Sequence, residues 1–206
     1  MLEEDKVYCV ILAGGQGRRL DGKGKYLQIL NNKSLLEHVI SRMKVQTEYL
    51  AVNFRNNNHK KINLPTVIDK FKENVGPLAG IHAALSHVNE ISKKKAAVVT
   101  VPVDTPFVPL DLIFQLKKKF NPSVNDVVIA CSRKRHHPTI AMWSSSLKNK
   151  IEKSILNNVR KIDFFTKDLR KVFVEWDGND YDPFYNINDY NDLKLAESMI
   201  KNNIIK

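Results

Sequence analysis

Val7-Tyr8-Cys9-Val10-Ile11-Leu12 is the run that most limits what this chain can fold into. Uncharged throughout, and mostly β-branched, aromatic or aliphatic, it reads as a first strand buried inside a sheet. The run empties into Ala13-Gly14-Gly15-Gln16-Gly17, a loop with almost no side-chain bulk, which leads on to Arg18, Arg19, Lys23 and Lys25. Glycines let backbone N–H groups come close to a ligand, and successive N–H groups in such a turn form a concavity that suits an anion. Cations at the end of the loop neutralise phosphate charge. In outline, this is a nucleoside triphosphate site.

Two better-known glycine patterns compete for the segment. The dinucleotide fingerprint G-x-G-x-x-G is met at Gly15 and Gly17 and fails at Leu20. A Walker A loop fits as far as Gly17-x-x-x-x-Gly22-Lys23, then fails at Gly24, which has no hydroxyl to offer a magnesium ion. Such a loop also runs straight into a helix. Here Lys25-Tyr26-Leu27-Gln28-Ile29-Leu30 reads as extended and ends in an Asn31-Asn32 turn.

Extended and helical segments alternate along the remaining chain with no linker-like break. Ser34-Leu35-Leu36-Glu37 is a capping box, with Leu35, Leu36, Val39, Ile40 and Met43 at helical spacing behind it. Further strands are expected over Tyr49–Asn53, Thr66–Asp69, Ala96–Val101, Asp126–Cys131, Thr139–Trp143 and Val172–Trp176. Helices are expected over Ile81–Val88 (after a Gly76-Pro77-Leu78-Ala79-Gly80 turn), beyond Pro109 with Leu112, Ile113 and Leu116, over residues 145–156, and over Asp189–Ile200. This alternation predicts an α/β, Rossmann-like fold, with a mostly parallel central sheet covered by helices on both faces. At 206 residues the chain reads as one domain, residues 1–206, of a size that buries roughly 70% of its unfolded surface.

Composition narrows the function classes. No apolar run approaches the ~18 residues that span a membrane, and Met1-Leu2-Glu3-Glu4-Asp5 is acidic where a signal peptide is basic. Cys9 and Cys131 both fall in expected strands, as small buried hydrophobes suited to a reducing cytoplasm. The net charge of +11 points to nucleic acid, an anionic membrane face or polyanionic small substrates. Its lysines are scattered, with runs at Lys93–Lys95 and Lys117–Lys119 near helix ends, where cations suit the helix dipole. There is no basic–aromatic interleaving of the kind that stacks bases, so neither nucleic acid nor membrane is the expected partner.

In a sheet of this class, ligands sit beyond the carboxyl ends of strands. Gly14, Asn53, Asp69 and Asp104 lie at the carboxyl ends of the first, second, third and fourth of the expected strands. Pro102 and Pro106 bracket Asp104 and fix the local backbone. Two readings of Asp104 stand side by side: a magnesium ligand beside a triphosphate loop, or an Asx-turn bonding a backbone N–H two residues on. Asn53 offers an amide to a base or sugar edge, or simply forms a turn. Asp69 as a helix or turn cap and Asn188 as the N-cap of the last helix are the plain structural readings. His136 and His137 face opposite ways on an extended chain and so do not share one metal ion. Arg133, Lys134 and Arg135 read either as a phosphate-attracting patch or as a solvated loop.

Leu12 to Lys25 resembles the signature L-A-G-G-x-G-x-R-(M/L)-(x)n-K of nucleotidyltransferases that transfer an NMP from an NTP, matched at Arg19 and Lys25. Val101-Pro102-Val103-Asp104-Thr105-Pro106-Phe107 is similar to a D-T-P-F/Y-(V/I)-P motif, and Val67-Ile68-Asp69 with Gly76–Gly80 to V-I-x-D…G-P-L-A-G. Val52-Asn53 matches a V-N position and His137-Pro138-Thr139 an H-P-T motif. Phe184-Tyr185-Asn186-Ile187-Asn188 resembles F-x-N-(V/I)-N-T-P, departing at Asp189 and Tyr190. Over roughly residues 7 to 198 these motifs resemble one branch, the molybdenum cofactor guanylyltransferases.

The resemblance implies transfer of GMP from GTP to the terminal phosphate of molybdopterin, in its molybdenum-loaded form, with Mg²⁺ as cofactor. Lys25, Arg19 and Asp104 are then catalytic. Leu12, Ala13, Gly14, Gly15, Lys25, Asn53, Asp69, Gly80 and Asp104 bind nucleotide, and Asp104 with Asn188 (or Asn186 in its place) holds the metal. His137 shapes the pterin side, and enzymes that accept the cofactor are expected as transient partners. The rivals are a cytidylyltransferase acting on the same pterin or on a sugar or polyol phosphate, and a basic nucleic-acid-associated protein.

Overall fold

The computed structural model describes residues 6–15, 24–71, 75–92, 94–178 and 180–205. In chain order its elements are β1 (Val7–Leu12), β2 (Ile29–Leu30), β3 (Lys33–Ser34), α1 (Leu35–Lys44), β4 (Leu50–Phe54), β5 (Thr66–Ile68), α2 (Pro77–Ile91), β6 (Ala97–Pro102), α3 (Leu112–Lys119), β7 (Val127–Ser132), β8 (Arg135–Ser144), α4 (Lys148–Leu156), α5 (Ile162–Thr166), β9 (Lys171–Trp176) and α6 (Tyr190–Lys201). A seven-stranded sheet runs in the order β5-β4-β1-β6-β8-β7-β9. Every pairing in it is parallel except those of β8, which is antiparallel to both β6 and β7. The expected mostly parallel α/β sheet is therefore present.

Alternation along each strand splits the core in two. Val7, Cys9 and Ile11 join one cluster with Leu36, Val39 and Met43 of α1, Leu112 and Leu116 of α3, and Ala196 of α6. Tyr8 and Val10 join the other with Ile81 and Leu85 of α2, Ile151 of α4 and Phe165 of α5. Thus β1 is buried on both faces, as its composition requires. Trp143, fully buried, donates its indole N–H to Thr100 Oγ1 at 2.9 Å, and Thr100 passes its own proton to the carbonyl of Thr139. This closes the one polar position inside the strongest strand. Cys9 and Cys131 are buried free thiols, and burial pushes the Cys131 pKa up to about 11.

Local signals translate directly in several places. Ser34 and Glu37 form the capping box of α1, and Asn31 and Asn32, both at positive φ, make the two-residue turn between β2 and β3. Elsewhere the outcome differs. Lys25–Leu27 is a single 3-10 turn rather than extended chain. Its Tyr26 ring tucks against Phe54 with centroids 5.1 Å apart, and that packing curls the backbone. The Gly76–Gly80 segment is not a turn before α2 but its start: Gly76, at φ +67°, caps it and Pro77 occupies its first position. The helix α5 was not expected, and β8 begins four residues earlier than expected, at Arg135.

Candidate active site

The carboxyl ends of β1, β4, β5 and β6 lie side by side, since Leu12 pairs with Asn53 and with Pro102, and Asn53 with Val67. At that edge Asn53 is almost fully buried. Its amide donates to Asp69 Oδ1 at 2.8 Å, to the carbonyl of Val67 at 3.2 Å and to that of Phe54 at 3.4 Å. Asp69 is thus held by Asn53 rather than capping a turn. Burial raises its pKa, against the pull of the Asn53 amide and of Arg55. A Cβ on Gly14 would lie 3.7 Å from Asp69 Oδ2, so the glycine loop passes directly over this carboxylate. Gly80, in the first turn of α2, approaches from below: a Cβ there would stand 2.7 Å from Asn53 Oδ1 and 3.2 Å from Leu12 Cδ2. Only glycine allows this contact. Leu12, Ala13, Gly14, Asn53, Asp69 and Gly80 accordingly meet at one sheet edge, and Gly15 has open space beside it.

The second half of the site forms around Lys25. Its Nζ donates to Asp104 Oδ2 at 2.5 Å, to Asn188 Oδ1 at 3.0 Å and to Asn186 Oδ1 at 3.4 Å. These partners stand 79, 163 and 161 residues away in sequence. Asp104 sits in the proline-bracketed turn after β6, where Thr105 Oγ1 bonds back to the carbonyl of Pro102 at 2.9 Å. The Asx-turn reading fails: the residue two positions on is Pro106, which has no N–H, and Asp104 Oδ1 is buried with no hydrogen-bond partner among the described residues. Backbone contact completes the pairing, as Ile187 N donates to the carbonyl of Asp104 at 2.9 Å. The N-cap reading of Asn188 is corrected too. Asp189 caps α6, its carboxylate accepting from Asn191 and Asp192 N–H, which frees the Asn188 carbonyl oxygen for Lys25.

Arg19, Lys23 and the remaining residues of the 16–23 loop lie outside the described residues. His136 and His137 do point apart: His136 stacks on Phe173 at 4.1 Å, whereas His137 turns inward to Ser132. Arg133 and Lys134, both at positive φ, form the tight turn between β7 and β8, and Arg133 Nε donates to the carbonyl of Gly178 at 2.7 Å. Sequence reasoning missed the inward network of Ser132 and Asp182. The Asp182-Pro183 pair was its only local signal.

Chemically, the edge joins a glycine-lined, N–H-rich loop to a buried carboxylate and an ammonium. That combination suits a triphosphate. Comparison with known proteins agrees. A family model described as MobA-like NTP transferase domain matches residues 9–172. A molybdenum cofactor guanylyltransferase of Rhodopseudomonas palustris (strain BisB5) is 32% identical over 200 residues, covering 96% of this chain and 95% of its own. Another, from Haemophilus influenzae (strain 86-028NP), is 33% identical over 193 residues, covering 91% and 96% respectively. Among solved structures, molybdopterin-guanine dinucleotide biosynthesis protein A from Archaeoglobus fulgidus superposes with a TM-score of 0.77 at 28% identity, covering 96% of this chain and 100% of its own. A 4-diphosphocytidyl-2C-methyl-D-erythritol synthase from Anaerococcus prevotii DSM 20548 reaches a TM-score of 0.70 over 97% of this chain and 100% of its own. At 12% identity it shares the fold alone. The chain belongs to the MobA-like NTP transferase domain family of nucleotidyltransferases.

Proposed function

We propose that this chain transfers GMP from GTP to the terminal phosphate of molybdopterin in its molybdenum-loaded form, giving the guanine dinucleotide cofactor and pyrophosphate, with Mg²⁺ as the metal. The observation that carries the reading is the convergence of Asp104, Asn186 and Asn188 on Lys25 at the mouth of the glycine loop. The names of relatives that match along nearly the whole chain support the choice of substrates.

The oxygen set around Asp104 fits a hard cation. Asp104 Oδ1 is buried and has no hydrogen-bond partner among the described residues, and the side-chain Oδ1 atoms of Asn186 and Asn188 converge with Asp104 Oδ2 on Lys25. Among the described residues no three His, Cys, Asp or Glu side chains come together, which suits an ion that takes a few protein oxygens and fills its shell with phosphate and water. Bound there, magnesium would neutralise charge on the reacting phosphates.

The chain's own groups account for the other parts of the transfer. Backbone N–H groups of Gly14 and Gly15 cradle phosphate oxygens, while that of Ala13 is held by the carbonyl of Asn53 at 2.8 Å and fixes the start of the loop. Asn53, Leu12 and Gly80 border the base, with Asp69 facing the ribose. An oxygen of the pterin phosphate attacks the α-phosphorus in line; that P–O bond forms as the bond to the β-phosphate bridge breaks, and pyrophosphate departs with the electron pair. Lys25, joined by Arg19, stabilises the charge that gathers on the leaving group. Phosphate is itself the nucleophile, so no side chain forms a covalent intermediate. Buried free thiols suit a cytoplasmic setting for this chemistry.

The fold does not select the base, since a cytidylyl enzyme shares it. Selection falls to the pocket at Asn53 and Gly80. The test is to incubate the protein with each NTP, molybdenum-loaded molybdopterin and Mg²⁺ and to identify the product. GTP is expected to give the guanine dinucleotide, and Asp104→Asn, which keeps the shape but gives up the charge, to abolish transfer. Retained activity of Asp104→Asn at unchanged magnesium removes the metal role. Saturable GTP binding that survives high salt separates this reading from a nucleic-acid-associated protein.

A further inference from the structure

Asp182 is a carboxylate the proposed chemistry does not use, and it is only 9% exposed. Its Oδ1 accepts from Ser132 Oγ at 2.7 Å and from the backbone N–H of Phe184 at 2.9 Å, while its carbonyl accepts from Tyr185 N at 3.0 Å. Ser132, fully buried at the end of β7, stands 2.8 Å from His137 Nε2 on β8. A hydroxyl carries one proton. Given to Asp182, it leaves the serine oxygen free only to accept, so the imidazole must carry its proton on Nε2. Burial lowers the His137 pKa, although Asp182 and Glu175 oppose this, and so favours the neutral ring that the arrangement needs. The order of donation is then fixed: His137 Nε2–H to Ser132, Ser132 O–H to Asp182.

From Asp182 the chain runs through Phe184 and on to Asn186 and Asn188. The Phe184 ring is nearly fully buried, 5.0 Å from the His137 ring and 5.3 Å from that of Trp176. The far end of this segment is tied by Ile187 N to the carbonyl of Asp104 and by Asn188 N to Asp192 Oδ2 at 2.7 Å. Asp182 is the tie at the near end. Between the two anchors, the Asn186 and Asn188 carbonyl oxygens reach Lys25.

We propose that Asp182 is a positioning residue for the transfer, aligned by Ser132 and His137, which holds the 182–188 segment so that Asn186 and Asn188 meet Lys25 and Asp104. It acts through those residues and touches no reacting atom. The proposal rests on the active-site reading above, and its test separates the two. Misplacing catalytic groups by about 1 Å costs on the order of 100-fold in rate. Asp182→Ala is therefore expected to lower kcat at least ~30-fold. Calorimetric GTP affinity should stay within about threefold, since the Asn53 and Gly80 edge is built by other strands. Amide hydrogen exchange should rise in peptides spanning 182–188 and stay unchanged in β1 and α2. Asp182→Asn keeps an oxygen to accept from Phe184 N–H and the Ser132 hydroxyl, so it should recover most of kcat. Ser132→Ala, a milder cut, should fall between the two. The proposal is overturned if Asp182→Ala keeps kcat within about twofold, or if its kcat and GTP affinity fall together with exchange rising throughout the sheet. Lys25→Ala and Asp104→Asn run alongside. If these are inactive while Asp182→Ala is active, only the positioning role falls; if they are active, the site itself is misassigned.

Discussion

Replacing Gly80 by alanine perturbs the contact between α2 and the nucleotide edge. The added Cβ would stand 2.7 Å from Asn53 Oδ1, closer than real Cβ atoms come to a neighbour. Asn53 is 1% exposed and held by its amide bonds to Asp69, Val67 and Phe54, so it has little room to yield. Turning it out of place forfeits at least the charge-assisted bond to Asp69, about 1.5–3 kcal/mol. Helix propensity works the other way. Alanine is better than glycine by about 1 kcal/mol in a helix interior, and by less in the first turn, where Gly80 lies. The net loss of folding stability is therefore about 1–2 kcal/mol, a fall in Tm of roughly 5 °C for a chain of this length. Nucleotide binding should suffer as well, because a displaced Asn53 releases Asp69, the carboxylate proposed to face the ribose. A loss of about 2 kcal/mol there corresponds to a roughly 30-fold weaker Kd. Calorimetric titration with GTP beside a thermal melt reads both quantities. A lower Tm with an unchanged Kd would show that Asn53 and Gly80 are packing partners only, and would refute the placement of the nucleotide at this edge.

Lys25→Ala removes the ammonium shared by Asp104, Asn186 and Asn188 and should lower turnover about 100- to 1,000-fold in a folded protein; near-normal steady-state rates would move the catalytic assignment elsewhere. Lys23→Ala should leave turnover close to normal, since the Walker-like pattern around it breaks at Gly24, and a loss matching that of Lys25→Ala would reverse this. GTP should outcompete ATP and CTP about tenfold or more, because each pocket group left unpaired by the wrong base costs roughly 1–3 kcal/mol; preference for CTP in a competition assay would leave the site standing and change the donor. Burial raises the Asp69 pKa, so the fold favours the protonated form. Its stabilising contribution is complete below the unfolded carboxylate value of 3.8 and is lost as pH rises through the raised value. The Tm of Asp69→Asn relative to the parent should therefore increase as pH rises above the unfolded carboxylate value of 3.8, and a pH-independent difference would contradict this.

Much of the fold is legible in the chain because its causes are local. Strand alternation in Val7–Leu12, the Ser34–Glu37 box and the apolar spacing of α1 depend on neighbours within a turn or two, and each forms as read. The edge occupied by Gly14, Asn53, Asp69 and Asp104 is local as well, because each residue lies at or just beyond the carboxyl end of its own strand. What failed to show was non-local or too short. α5 spans Ile162–Thr166, less than two helical turns, and its identity rests on Ile162 and Phe165 joining a core built by other elements. The turn of Arg133 and Lys134 adopts positive φ without glycine or asparagine, so nothing announced that β7 and β8 form a hairpin and that β8 runs antiparallel. Tyr26 curled Lys25–Leu27 by packing on Phe54, overriding the extended reading.

The same division runs through the site. Sequence alone determined which residues the proposed chemistry draws on: a glycine loop for phosphate, Lys25 for charge, Asp104 at a rigid strand end. Tertiary structure decided how they combine. It brought Asn186 and Asn188 across more than 160 residues to Lys25, left one oxygen of Asp104 buried without a partner among the described residues, and tied the asparagine segment to Ser132 through Asp182. The physical reason is that residue chemistry and short-range backbone preference are written locally. Hydrogen bonds between distant side chains exist only once the sheet has set their strands side by side.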